Sequence, residues 1–295
     1  MLVSEAIDRT FNNWLHPAGV NRPSFDVLAE ALDNSELDIT LEGRITVPND
    51  SILEIDSELV LTKSVAAATH EVTVSERGYL DTAVATHANG TRVYLDPMFS
   101  RKHLFDVLTT LIQDLYPQGV YRRVVDDTLF YTTAGTVALP SGTKDLLKAS
   151  VAVVGSGTRY RRLRSEHAEY TVLYEFDPPK LQIVRGGTLN AQLVVVVAKD
   201  FTLPADETKD LTTICFVPAS FAAHLPMGIA GTILQSRELP RVMTDEIKRL
   251  FVQQGVQVGS ALNVGQALLT LYRQKVDAER RRLQDLDPPN VELTR

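Results

Sequence analysis

The amino-acid sequence predicts an α+β fold: a discontinuous helical bundle with two inserted all-β modules, a small β module and a larger β-sandwich. Three observations carry this expectation. Apolar residues recur at helical spacing near residues 2–32, 101–115 and 221–284, and each such face needs a partner. The two intervening stretches instead alternate apolar and polar residues between Gly, Pro, Ser and Asp turns, the mark of strands. With 295 residues, 44% of them hydrophobic, the chain can fill more than one core. A helical hub is expected from residues 1–36, 100–117 and 218–285, the small β module from 37–99, the sandwich from 118–217, and an extended tail from 286–295.

Taken in order, Leu2, Ala6, Ile7, Phe11, Trp14 and Leu15 predict an amphipathic helix that Pro17 and Gly19 end. Ser24 can cap a second helix with Val27, Leu28, Ala31 and Leu32 on one face, stopped at Asp33-Asn34. Alternation begins at Leu37 and runs through Ile39, Leu41, Ile52, Ile55, Leu59, Leu61, Val72, Val74, Val93 and Leu95. The long loop before the last of these strands has Gly78 at one end and Asn89-Gly90 at the other, residues suited to positive φ. Arg77, Gly78, Thr82 and His87 are expected to brace this loop by bonding its unpaired backbone. His87 has no carboxylate, cysteine or second histidine at usable spacing, so it reads as neither metal ligand nor general base.

Ser100 caps a helix carrying Leu104, Leu108, Leu111, Ile112 and Leu115, closed by Tyr116-Pro117 and Gly119. Eight short strand candidates follow between Tyr121 and Ala198 and suggest the sandwich. After Pro218 the helical spacing returns, from Phe221 through Ile233, Ile247, Leu250, Leu268, Tyr272 and Leu283. The prolines at 288 and 289 then force an extended tail.

A net charge of −7 argues against duplex DNA or an acidic membrane as the principal partner. The single cysteine, Cys215, lies in the apolar run Ile214–Val217 and is expected to be buried. Met1–Arg9 lacks a basic start and an apolar stretch, so no secretion signal is expected. The longest apolar segment, Leu193–Ala198, is far below the roughly 20 residues that span a bilayer. Arg159, Arg161, Arg162 and Arg164, interleaved with Tyr160, form the one basic aromatic run. In a strand such arginines pair with acidic residues on a neighbouring strand or subunit, which makes them subunit-interface candidates; a nucleic-acid or phosphate contact is the alternative. No phosphate loop, dinucleotide fingerprint, nucleophile elbow or HExxH pair occurs. No enzyme, cofactor or metal site is expected.

Three stretches carry a resemblance. The first is Glu54-Ile55-Asp56-Ser57-Glu58-Leu59-Val60-Leu61 with Arg77-Gly78-Tyr79-Leu80-Asp81-Thr82-Ala83 and His87-Ala88-Asn89-Gly90-Thr91. The second is Leu104–Pro117 leading into Tyr131–Pro140 and Asp145–Ala149, and the third is Ser236-Arg237-Glu238 with Ala267–Arg273. In this order they resemble the head-to-tail connector, or neck adaptor, family of tailed phages that includes the podophage tubular tail proteins. The family pattern often has glycine where this chain has Asp81. The resemblance implies a structural virion protein made in the host cytoplasm and located in the neck between capsid and tail. Its subunits would form a ring of twelve that binds the portal protein and a downstream neck or tail protein. The ring would line the channel for passing viral DNA, touching it transiently and without sequence specificity. The tail residues Leu286, Asp287, Pro288, Pro289, Val291 and Leu293 would dock on the portal. The many strands leave an alternative, a receptor- or carbohydrate-binding baseplate or fibre component, which predicts aromatic clusters at loop tips.

Overall fold

The alternating segments fold as strands in three sheets, and these sheets rather than helices dominate the molecule. The computed structural model describes residues 1–15, 24–66, 68–97, 99–131, 135–152, 160–163, 170–184, 191–235 and 260–286. Among them are thirteen strands, all paired antiparallel. The chain divides into two units.

One unit comprises Val3–Leu108 and Pro226–Gln266. Its strands β1 (Phe25–Val27), β2 (Asp38–Thr40), β3 (Ile52–Ile55), β4 (Glu58–Ala66), β5 (Glu71–Glu76) and β6 (Arg92–Leu95) form a six-stranded sheet ordered β1-β6-β3-β4-β5-β2. Alternation places Ile39, Leu53, Ile55, Val60, Val72 and Val93 in one core. Helix α1 (Val3–Thr10) buries Val3, Ala6, Ile7 and Thr10 and continues as a π-helix over Phe11–Leu15. Helix α2 (Arg101–Gln113) starts against the sheet. Ser100 Oγ accepts the His103 N–H at 3.1 Å, the buried Glu54 carboxylate accepts the Arg101 N–H, and the Arg101 guanidinium pairs with Asp8 at 2.7 Å.

The second predicted helix is corrected. Residues 24–34 begin with β1, and beyond it Leu28 bridges to Leu41 and Leu32 to His87. The reason lies in Asp26, whose buried carboxylate accepts the N–H groups of Val27 (2.8 Å), Arg44 (2.9 Å) and Ile45 (3.2 Å). Such bonds offer the backbone an alternative to helical pairing. The spacing of Val27, Leu28, Ala31 and Leu32 fits a helix, but tertiary strand pairing overrides it.

The other unit comprises Met1–Leu2, Thr109–Leu225 and the chain from Ala267. Strands β7 (Arg122–Phe130), β8 (Thr136–Ala138), β9 (Thr143–Ala152), β10 (Tyr160–Arg162), β11 (Tyr170–Leu173), β12 (Lys180–Ile183) and β13 (Gln192–Lys199) make a four-stranded sheet, β10-β9-β13-β7, and a three-stranded sheet, β11-β12-β8. Both sheets contribute to one core, with Val137 and Leu181 from one and Val151, Leu193, Val195 and Val197 from the other. The two candidates Tyr121–Val125 and Leu129–Thr133 merge into the single strand β7. Cys215 is fully buried, and burial pushes its thiol pKa up.

Helices α3 (Ala219–Ala222), α4 (Leu225–Gln235) and α5 (Ser260–Leu286) complete the described chain. In α5, Leu268, Tyr272, Val276, Glu279 and Leu283 are buried at helical spacing, and the Tyr272 ring lies 5.9 Å from that of Phe221. Gly265 allows α5 to approach α4, because a Cβ there would lie 2.9 Å from Leu234 Cβ. The expected helical bundle with inserted β modules is therefore overturned: the fold is mainly β, with one six-stranded sheet and two smaller ones. An apolar helical stripe is satisfied by a sheet as well as by other helices, and periodicity does not say which. The helical spacing around Ile247 and Leu250, and the Ser236-Arg237-Glu238 motif, lie outside the described residues.

Candidate functional site

The hairpin between β3 and β4 turns in two residues, Asp56 and Ser57, with Asp56 at φ 53°. This sets Glu58 opposite Ile55 at the start of β4, where it is fully buried. A buried carboxylate is costly unless paired and hydrogen-bonded. Glu58 receives five donors. Its Oε1 accepts from Arg77 Nε (2.6 Å) and Gly78 N (3.1 Å), and its Oε2 accepts from Arg77 Nη2 (2.9 Å), Ala85 N (3.0 Å) and His87 Nε2 (2.9 Å). The Arg77 guanidinium also donates to the carbonyls of Asp33, Glu36 and Ala85.

His87 turns its other nitrogen, Nδ1, to Asp56 Oδ2 at 2.9 Å. Burial works against the charged ring, but hydrogen bonds from Asp56 and Glu58 outweigh it and raise the His87 pKa to about 9. Charged His87 donates through both nitrogens. For Glu58, burial again opposes the charge, and the bonds from Arg77, His87 and Ala85 prevail, lowering its pKa to about 2. Thr82 closes the loop, its Oγ1 accepting the Leu59 N–H at 3.0 Å and donating to the Tyr79 carbonyl at 3.0 Å.

The brace holds a strained turn. Gly78 takes φ 67°, and a Cβ there would lie 2.7 Å from the Thr82 carbonyl oxygen, so only glycine fits. Leu80 and Asp81 both adopt left-handed φ, 54° and 59°, a conformation costing roughly 1–2 kcal/mol for an ordinary residue. Leu80 is 64% exposed and Val84 44%. A saturated buried network thus presents Leu80 and Val84 to solvent.

The sequence anticipates Arg77, Gly78, Thr82 and His87; the structure places Arg77, Gly78 and His87 on Glu58 and Thr82 on the neighbouring Leu59 N–H and the Tyr79 carbonyl. The sequence reading misses Glu58 and Asp56, and the reading of His87 as lacking a carboxylate partner is corrected, since it has two. The signal was a carboxylate directly after a two-residue turn and directly before the apolar run Leu59-Val60-Leu61. Its partners lie 19 to 29 residues further on, at no recognisable spacing.

The other candidates are dispersed. Arg161 and Arg162 lie in β10, at register positions opposite Val151 and Ser150 on one edge of the four-stranded sheet. Arg159 and Arg164 lie outside the described residues. Leu286 ends α5 and is 54% exposed, whereas Asp287, Pro288, Pro289, Val291 and Leu293 lie outside the described residues. Among the described residues, no group of three or more His, Cys, Asp or Glu is arranged to hold a metal. No described helix is long and apolar enough to cross a membrane. No family model matches this sequence, and no curated protein matches it either.

Proposed function

We propose that this chain is a structural subunit of a tailed-phage neck that assembles with copies of itself into a ring joining portal to tail and surrounding the DNA path. The observation that carries this reading is the braced loop. Every proton-binding site of Glu58 and His87 is occupied by a partner within the fold, so the cluster spends its charge on rigidity. What it rigidifies is a loop that exposes Leu80 and Val84, side chains suited to docking on another protein. The motif residues around Glu58 and Arg77 are also those that carry the connector resemblance.

Labelling the chain in purified virions and imaging them tests the proposal. Density at the neck is the expected result; absence from the neck, or presence on fibres alone, overturns it. Removing residues 286–295 tests whether the tail docks on the portal, with weakened portal association expected.

The turn after β11 gives the fibre alternative one supporting observation. Tyr174 and Phe176 are 51% and 41% exposed there, with Lys180 Nζ 4.0 Å from the Phe176 ring centroid. An exposed aromatic pair of this kind suits a sugar face. Loss of glycan or cell binding on Tyr174→Ala with Phe176→Ala would favour that reading over the neck.

A further inference from the structure

Phe25, Tyr94 and Glu54 stand in one cross-strand row of β1, β6 and β3, on the sheet face opposite the core residues Leu53, Ile55 and Val93. All three line a cavity of about 250 Å³. Phe11 and Asn12 of the π-helical turn line it too, as do Phe99 and Arg101 at the approach to α2. A π-helical turn is rare and often accompanies a functional site. The lining is rich in aromatic rings, with the Phe25 and Tyr94 centroids 6.1 Å apart. Its two carboxylates are already answered: Asp8 pairs with the Arg101 guanidinium at 2.7 Å, and the buried Glu54 accepts the Arg101 N–H. Arg92 is different. Its guanidinium lies 5.2 Å from the Phe25 ring centroid, and among the described residues no carboxylate pairs with it.

We propose that this cavity binds a small carboxylic acid carrying one aromatic ring, with the ring among Phe11, Phe25, Tyr94 and Phe99 and the carboxylate on Arg92. Size sets the first limit. Drug-sized ligands occupy roughly 300–1,000 Å³, so a cavity of about 250 Å³ takes a single ring and a short substituent rather than an oligosaccharide or a dinucleotide. Aromatic walls suit a ring, which can meet them offset or edge to face. A guanidinium receives a carboxylate through two parallel N–H bonds, and the attraction of Arg92 to the Phe25 ring holds it beside the cavity. Charge selects a monoanion. A phosphate dianion would meet Asp8 and Glu54 with Arg92 alone to offset them, and a cation would meet Arg92 unopposed. A neutral ring would cover Arg92 without giving it a partner. The site uses none of the braced-loop residues and does not depend on the neck reading.

Calorimetric titration of the full chain with phenylacetate tests the proposal, with its neutral isostere phenylacetamide and the ringless acid acetate in parallel. Phenylacetate should bind, and the amide should bind about tenfold more weakly or worse, the size of one charge-assisted hydrogen bond. Acetate should bind more weakly still, because it leaves the aromatic walls uncovered. Arg92→Gln should bring the acid down to the affinity of the amide without changing the amide itself, and Arg92→Lys should keep part of the preference. Absence of any heat of binding with millimolar phenylacetate overturns the proposal. Equal affinity for phenylacetate and either control also overturns it, and that comparison needs no variant. So does an affinity for phenylacetate that Arg92→Gln leaves unchanged, because the acid would then sit elsewhere.

Discussion

Glu58 has the largest energetic leverage of any residue in the braced loop. Replacing it with Gln keeps the shape but leaves Arg77, whose side chain is 5% exposed, facing no charge. Breaking one side of a buried ion pair costs about 3–5 kcal/mol, so Glu58→Gln should lower unfolding stability by that order in denaturant titration. The pH dependence follows from the two shifts. Glu58 is lowered from its ordinary 4.5 to about 2, so its contribution is complete above pH 4.5 and disappears as pH falls through 2. His87 is raised from 6.5 to about 9, so its contribution is complete below pH 6.5 and is lost as pH rises through 9. Each is on the order of 3 kcal/mol at full shift. Stability should therefore plateau between about pH 4.5 and 6.5, and His87→Gln should flatten the alkaline limb and, because His87 also holds the Glu58 pKa down, make the acid limb shallower. A wild-type midpoint that holds constant from pH 6.5 to 9 would contradict the charged-histidine account.

At the scale of elements, strain and close packing make the sharper tests. Leu80 sits at φ 54° with its side chain in solvent, so Leu80→Gly relieves left-handed strain at some entropic cost. A net gain of about 0.5–1 kcal/mol is expected, and under the neck reading portal or tail association should fall at the same time. Stabilisation combined with unchanged association would remove the docking role of the loop. Gly265→Ala works in the opposite direction, pressing a Cβ to 2.9 Å from Leu234 and 3.1 Å from Gln235 N. A loss of about 1–3 kcal/mol is expected from such overpacking, measurable as a lowered thermal midpoint. These cases also show how far the sequence could be read. The alternation of Ile52, Ile55, Leu59 and Leu61 reports strands because one face of each is buried, and Ser100 with Leu104 and Leu108 reports α2 because cap and stripe agree. Residues 24–34 carried a helical stripe too, but the three backbone groups held by Asp26 come from positions 27, 44 and 45. A bond between residues 18 positions apart leaves no periodic trace. The same holds for Glu58, which local pattern marks only as a charge beside a turn.

For the whole molecule, the decisive quantity under the neck reading is how copies associate. A ring is built from heterologous contacts, in which one surface of a subunit meets a different surface of the next and the rotation closes. The four-stranded sheet has two unlike edges: β10 brings Arg161 and Arg162, and β7 carries Asp126 and Asp127. Unlike edges favour a head-to-tail contact over a symmetric one. Under the neck reading, the overall charge of −7 acts against tight phosphate binding and so suits a channel that DNA must slide through. If the arginine run serves the subunit boundary, charge reversal at Arg161 and Arg164 should shift the purified protein from rings toward monomers in mass measurements. Its affinity for duplex DNA, and the salt dependence of that affinity, should change little. If those arginines instead bind phosphate, the reversal should leave the assembly intact and reduce the slope of log K against log salt by about 2, close to one for each phosphate no longer neutralised. Measuring both quantities on one variant separates the boundary role from the DNA role.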